Sequence, residues 1–190
     1  MSAARIEAAH ELGRAFAAEP GTLPGVGGPG DVPGAFADVY AAQRGLAYQR
    51  EESHGTFELT AVADLPAVPG RRVIVGPEHA ALVQAWLVAF HEEATPHAPP
   101  VRADAGARSA STGRAHLWLD GAGVPLSYAF NNRDVEGWAS LGPVYTPPAA
   151  RGNGFATGLV ASLSQYLLDQ GRPGCTLYTP AATNSPSSRT

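Results

Sequence analysis

The sequence contains one cysteine, one methionine and no lysine among its 190 residues. A single cysteine excludes an internal disulfide and a zinc site built from several cysteines, and such sparing use is typical of proteins of the reducing cytosol. All 13 basic residues are arginines, which we attribute, together with the heavy use of alanine, glycine and proline, to a GC-rich coding bias. The arginines are scattered and the net charge is −4, so the composition does not indicate a nucleic-acid partner.

Long hydrophobic runs are also missing. No apolar stretch approaches the ~20 residues that a membrane-spanning helix needs. Residues 1–18 mix Glu, His and Arg with alanine and have no uninterrupted apolar segment, so they lack the features of a signal peptide. The hydrophobic content of 44% is still enough for one folded domain, or for one domain and part of another. We therefore expect a soluble cytoplasmic protein that has no membrane partner.

The spacing of hydrophobic residues predicts a mixture of helices and strands. Helices are predicted over residues 3–18, 33–44, 77–93 and 154–170. Strands are predicted over residues 46–51, 56–62, 72–75, 114–119, 124–130, 138–146 and 175–178. The polar, proline-rich stretch 95–112 predicts a loop with at most a short helical turn, and the prolines and glycine within 65–71 predict a domain boundary. From residue 72 onward, the order of strand, helix, strands, helix and strand predicts a mixed α/β layer.

The most informative segment runs from Gly142 to Thr157. It starts as a strand, passes through two prolines and opens through a glycine-rich turn into an apolar helix. That arrangement presents free backbone N–H groups and the positive end of a helix dipole to an anion such as a diphosphate. Gly152 and Gly154 leave room for a ligand to approach the backbone. The turn has no lysine followed by Ser or Thr, so it is not a P-loop, and the dinucleotide spacing fails because Thr157 stands where a glycine is needed.

This segment resembles the pyrophosphate loop of the GNAT superfamily of N-acetyltransferases. The family pattern is Arg or Gln, two residues, Gly, one residue, and then Gly or Ala, and Arg151, Gly154 and Ala156 occupy those positions. The resemblance covers residues 71–190 and implies a GNAT-like acyl-CoA N-acyltransferase fold, in which two strands of a mixed sheet splay apart around the cofactor. Gly142 beside Pro143 would mark the bulge at which the splay begins. Residues 1–65 resemble the end of a degenerate N-terminal GNAT-like half, known in a bacterial branch of the superfamily, with residues 66–70 as the linker.

The resemblance implies an N-acetyltransferase that moves an acetyl group directly from acetyl-CoA to an amine of a small molecule or a peptide. The strand residues Val144, Tyr145 and Thr146 would pair with the pantetheine, and the acceptor would meet the loop 95–112. The pyrophosphate would be held by Arg151, Gly152, Asn153, Gly154, Phe155, Ala156 and Thr157. Asn184 matches a family asparagine that contacts the cofactor, whereas Asn153 stands where many relatives carry a basic residue. No metal is implied, and a homodimer is left open.

The general base is the part of the chemistry that the sequence identifies least. Glu136, just ahead of the strand 138–146, is our candidate, and His91, Glu92 and Glu93 at the end of a predicted helix are the alternatives. His116 lies on a strand, where a structural role is the commoner one. Cys175, also on a strand, is typical of a small buried apolar residue. No cluster of His, Asp and Glu has the spacing of metal ligands.

The residues after Asn184 are few. The family continues there with a helix, which carries a Tyr that protonates the leaving thiolate, and with the final strands. We therefore expect these C-terminal strands to be missing, and the sheet to expose an edge beside its last strand. Two alternatives to an active enzyme stay open: a catalytically silent acyl-CoA-binding or interaction domain, and an inactive truncated product.

Overall fold

The computed structural model describes residues 3–50, 53–96 and 98–180, which fold as two units divided between Ser53 and His54. The first unit is a pair of helices, α1 (Ala3–Ala18) and α2 (Val32–Arg44), both at their predicted positions. The helices share a small core of buried Ala9, Ala35, Phe36 and Tyr40. Helix α2 ends at Gly45, whose left-handed φ of 64° is a common helix stop.

The second unit is built on a sheet of six strands. They are β1 (His54–Leu59), β2 (Arg71–Ile74), β3 (Ala115–Leu119), β4 (Pro125–Val135), β5 (Trp138–Tyr145) and β6 (Cys175–Pro180). Their order across the sheet is β1-β6-β5-β4-β3-β2. Every neighbouring pair is antiparallel except β5 and β6, which run parallel. A parallel pair needs a crossover connection, and a helix between the two strands supplies it.

Helices cover both faces of this sheet. Helix α3 (Ala80–Ala94) and the short α4 (Ala105–Ser111) belong to one face, where Val83 packs with Leu117 and Tyr128. Helix α5 (Phe155–Asp169) covers the other face. Its Leu159, Leu163 and Leu167, spaced one helical turn apart, pack on Trp118, Ala129, Ala139, Leu141 and Cys175. Fully burying each of these leucines contributes about 1.5–3 kcal/mol to folding, so α5 and the end of β5 that precedes it are held firmly in place.

Strand β1 differs most from what the sequence predicts. We expected an exposed edge beside the last strand, and a first segment that extends to residue 65 with a linker at 66–70. In the structure, β1 pairs along its whole length with β6, from His54 opposite Pro180 to Leu59 opposite Cys175. Because its ladder partner lies in the second unit, β1 belongs to that unit, and the boundary falls at Ser53. The edge of β6 is therefore covered.

Smaller differences concern the lengths of elements. Residues 46–50, predicted as part of a strand, are irregular, and β4 extends to Val135, beyond its predicted end at residue 130. The stretch predicted as a loop with at most a helical turn contains α4. Helix α4 is tied to α3 by Gln84, whose side chain accepts a hydrogen bond from the Gly106 amide at 2.8 Å and donates one to the Arg102 carbonyl at 3.0 Å.

Candidate functional site

Strands β5 and β6 separate halfway along β5. Their parallel ladder contains only Ala139 opposite Cys175, Ser140 opposite Thr176 and Leu141 opposite Leu177. On its other side β5 stays paired with β4 as far as Tyr145. Two residues of β5, Gly142 and Pro143, lie opposite the single Phe130 of β4, which is a β-bulge at the position the sequence predicted. Within the part of the chain that the structure describes, no strand pairs with the β6-facing edge of β5 after Leu141.

Helix α5 begins directly above this opening. A single turn of 3-10 helix, Pro148–Ala150, leads from β5 into the turn at residues 151–154. Gly152 and Gly154 have φ values of 80° and 78°, a left-handed conformation that favours glycine. The Gly158 amide makes the first helical hydrogen bond, to the Gly154 carbonyl at 2.9 Å.

The amides of residues 152–157 consequently donate to no acceptor among the described residues. Such amides at the start of a 15-residue helix, where its dipole is positive, form a ready anion site. The turn is held from inside, because the Asn153 amide group donates to the carbonyls of Ala150 and Arg151 at 3.2 and 3.0 Å. The Asn153 side chain thus shapes the turn, and its backbone N–H remains with the free amides.

A cavity of about 520 Å³ lies between the end of β5, this turn, the first turn of α5 and the last turn of α3. Its walls are Phe90, Glu93, Ala94, Val144, Tyr145, Thr146, Ala150, Arg151, Gly152, Gly154, Phe155, Ala156 and Thr157. The structure therefore brings to one cavity every described residue that we predicted to contact the cofactor, apart from Asn153. Asn184, also predicted, lies outside the described residues.

One ion pair joins two of the residues that line the cavity. Arg151 Nη2 lies 2.6 Å from Glu93 Oε2, on the last turn of α3, and Arg151 Nε donates to the Thr146 carbonyl at 2.9 Å. The Tyr145 hydroxyl donates to the other Glu93 oxygen at 3.4 Å, and the guanidinium lies 5.8 Å from the Tyr145 ring centroid. Burial, and after it the Glu93 carboxylate, raise the pKa of the Tyr145 phenol above its ordinary value. The sequence suggested Glu93 as a candidate base but held no signal for its pairing with Arg151, 58 residues later.

The candidate base Glu136 does not share this cavity. It occupies, with φ 51°, the tight turn between β4 and β5, followed by Gly137 with φ 88°. That turn is at the opposite end of β5 from Val144, roughly 25 Å away at the usual rise of a strand. Glu136 as the base therefore stays a prediction, and the structure places it at the end of β5 that is remote from the cavity. Among the other candidates, only Glu93 lines the cavity; Glu92 is exposed, and His91 Nδ1 lies 3.2 Å from Thr95 Oγ1.

His116 lies in a separate buried cluster beneath α5. Its Nδ1 accepts a hydrogen bond from Arg72 Nη1 at 2.9 Å, while the Arg72 guanidinium lies 4.3 Å from the Tyr166 ring centroid. Burial, followed by the charge of Arg72, lowers the pKa of His116 to about 4. These contacts are compatible with the structural role that the sequence favoured for His116, and they do not place it in the cavity.

Among the described residues, no three or more His, Cys, Asp or Glu side chains are grouped as metal ligands would be. Within the same residues, no helix combines the length and apolar character needed to cross a bilayer.

No family model matches the sequence, and no curated protein matches it either. Solved structures do match. The GCN5-related N-acetyltransferase from Sphaerobacter thermophilus superposes with a TM-score of 0.56 at 16% identity, over 80% of this chain and 50% of that one. A GNAT family acetyltransferase from Colwellia psychrerythraea superposes with a TM-score of 0.52 at 14% identity, over 93% of this chain and 64% of the other.

At these identities the similarity concerns the fold. The mixed sheet with its two separating strands and the helix that joins them is the GNAT acyltransferase fold, as the resemblance in the sequence predicted. The chain spans about half of the first of these proteins and less than two thirds of the second.

Proposed function

We propose that this chain, which has the GNAT fold, is an N-acetyltransferase that transfers an acetyl group from acetyl-CoA to an amine of a small molecule or a peptide. A cytoplasmic location is part of the proposal and is supported by the sparing use of cysteine.

The observation that carries the proposal is the set of amides at residues 152–157, which meets the edge of β5 after Leu141 in one cavity. Neither the amides nor this edge has a partner among the described residues. Amides at a helix N-terminus suit a diphosphate, and an unpaired strand edge suits a chain of amides such as pantetheine. Acetyl-CoA carries both groups in one molecule. The two features would hold it from opposite ends, with the diphosphate on the turn and the pantetheine along residues 142–146.

Bound acetyl-CoA would supply the acetyl group as a thioester, and the chain would contribute position and polarity. Holding donor and acceptor together is worth up to about 7–11 kcal/mol of the barrier when the geometry is ideal. Each backbone donor aimed at the developing oxyanion is typically worth about 2.7–4 kcal/mol in acyl transfer. The free edge of β5 has backbone N–H groups of the kind that this role requires.

A thermal melt of the chain with and without acetyl-CoA tests cofactor binding. Acetyl-CoA at 100 times its dissociation constant should add about 2.7 kcal/mol of stability, which raises Tm by roughly 5–10 °C for a chain of this size. Pantetheine, which lacks the diphosphate, should give a much smaller shift at the same concentration. A cooperative melt that ignores acetyl-CoA would overturn the assignment.

A second candidate, a catalytically silent acyl-CoA-binding domain, is favoured by one observation. Among the described residues that line the cavity, the only carboxylate is Glu93, which is engaged by Arg151, and no histidine is present. Release of CoA thiol across a panel of amines decides between the two. Turnover with any amine supports the transferase, whereas a thermal shift without turnover supports the silent domain.

A further inference from the structure

The ion pair between Glu93 and Arg151 places opposite charges on the wall of the cavity. Both side chains are about half exposed, at 44% for Glu93 and 48% for Arg151, and their closest N···O distance is 2.6 Å. Among the described residues that line the cavity, these are the only acidic and the only basic side chains. These two side chains are therefore the charged groups that the described part of the wall offers to a charged ligand.

The Arg151 side chain is held by three contacts within the protein. Its Nη2 is held by the Glu93 carboxylate, its Nε by the Thr146 carbonyl, and its guanidinium lies against the Tyr145 ring. Because its charge is paired with that of Glu93, Arg151 is not free to bind a diphosphate. It nevertheless directly precedes the amides of residues 152–157, which have no acceptor among the described residues. Glu93 is fixed in turn, because its second oxygen accepts from the Tyr145 hydroxyl.

We propose that Glu93 is a positioning residue that competes with the diphosphate of the ligand for Arg151, and thereby sets the affinity of the site. The inference rests on the proposed function, since it takes a diphosphate on the turn as given. In the free protein Glu93 holds Arg151 against the cavity wall. When the ligand binds, its diphosphate takes over the guanidinium, and the Glu93 carboxylate is released into the cavity.

The charge is what matters in this competition, so Glu93→Gln is the informative variant. The amide keeps a similar shape and its own hydrogen-bonding capacity but no longer attracts the guanidinium as an ion. Half-exposed ion pairs are modest in strength, and removing this one should tighten CoA binding by about 1.5- to 5-fold. Glu92→Gln is the matched control, because it removes the same charge from an exposed neighbour that does not line the cavity.

The test is a titration calorimetry series on the full chain with three probes: CoA, inorganic diphosphate and pantetheine. Glu93→Gln should tighten binding of the two probes that contain a diphosphate and leave pantetheine unchanged, while Glu92→Gln should change none. In an Arg151→Ala background, which should itself bind CoA more weakly, Glu93→Gln should have no further effect. Glu93→Asp, which keeps the charge, should remain closer to the unaltered chain.

Each contrary result has a distinct meaning. If the unaltered chain binds neither CoA nor diphosphate, the proposed function fails before this inference is reached. If it binds CoA but Glu93→Gln binds equally or more weakly, the competition is refuted. An equal gain in the Arg151→Ala background would also refute it, because Glu93 would then act by direct repulsion and not through Arg151.

Discussion

Gly154 adopts a left-handed conformation, with φ 78° and ψ 5°, immediately before the first residue of α5. A left-handed conformation costs a residue with a side chain roughly 1–2 kcal/mol. A Cβ built on Gly154 would also lie 3.4 Å from Val68 Cγ2. The direction of the free amides in this turn therefore depends on the absence of a side chain.

We expect Gly154→Ala to weaken acetyl-CoA binding by about 5- to 30-fold, the factor that corresponds to the strain at this position. The strained turn would relax by rotating its amides away from the ligand. Gly113→Ala is the control, because Gly113 also has a positive φ, of 67°, and open space around it, but does not line the cavity. The Gly113→Ala variant should lose a similar amount of stability, and calorimetry should show an unchanged affinity for acetyl-CoA. Equal affinities for both variants would show that the turn does not hold the ligand.

His116 gives the protein a pH dependence that follows from its surroundings. Its pKa is lowered to about 4 in the folded chain from an ordinary 6.5. Between these values the unfolded chain binds a proton that the folded chain does not, so stability falls as the pH drops from 6.5 toward 4. The contribution amounts to at most about 3 kcal/mol, since one unit of pKa corresponds to 1.36 kcal/mol.

Urea unfolding at pH 7.5 and 4.5 measures this contribution. The unaltered chain should lose stability at the lower pH, and His116→Asn should lose less, because the titrating group is gone while an acceptor for Arg72 remains. An identical loss in the His116→Asn variant would contradict the assignment.

At the scale of elements, the contact between α3 and α4 is unusually close. A Cβ built on Gly106 would lie 2.1 Å from the Ala80 carbonyl oxygen and 2.8 Å from the Gln84 amide nitrogen, both backbone atoms. Both helices pack on the same core cluster, α3 through Val83 and α4 through Ala110, so neither can withdraw without losing contacts. Helix α4 lies within residues 95–112, the stretch that the resemblance assigns to the acceptor.

We therefore expect Gly106→Ala to destabilise the chain by about 1–3 kcal/mol, the usual cost of overpacking. Gly34→Ala in α2 is the comparison, because a Cβ there meets nothing within 4 Å. That substitution should be neutral or stabilising by up to about 1 kcal/mol. Urea unfolding of both variants measures the difference. A Gly106→Ala variant as stable as the unaltered chain would mean that α4 is not held against α3.

At the scale of the whole molecule, every residue that lines the cavity belongs to the second unit. Phe36 is a core residue of the first unit, 8% exposed and stacked on Tyr40 at 5.9 Å between ring centroids. Phe36→Ala should cost that unit about 3–5 kcal/mol and leave the dissociation constant for acetyl-CoA unchanged in calorimetry. Weakened binding would show that the first unit supports the site.

Local patterns were enough to predict most elements. Helices α1, α2, α3 and α5 and strands β3 and β4 follow from hydrophobic spacing. The turn at residues 151–154 was also predictable, since the glycines that bend it and the helix that follows are neighbours in sequence. Backbone preferences and side-chain periodicity act over a few residues, and the sequence displays them directly.

Other features depend on residues that are distant in sequence. The pairing of β1 with β6, the extension of β4 to Val135, the approach of Gly106 to Ala80 and the ion pair of Glu93 with Arg151 carry no local signature. Each strand or side chain could meet many partners along the chain, and the packing of the whole fold determines which one it contacts. The amino-acid order therefore specified most elements and the glycine turn at residues 151–154. Folding decided which strand covers β6, which charge faces Arg151 and that Glu136 lies away from the cavity.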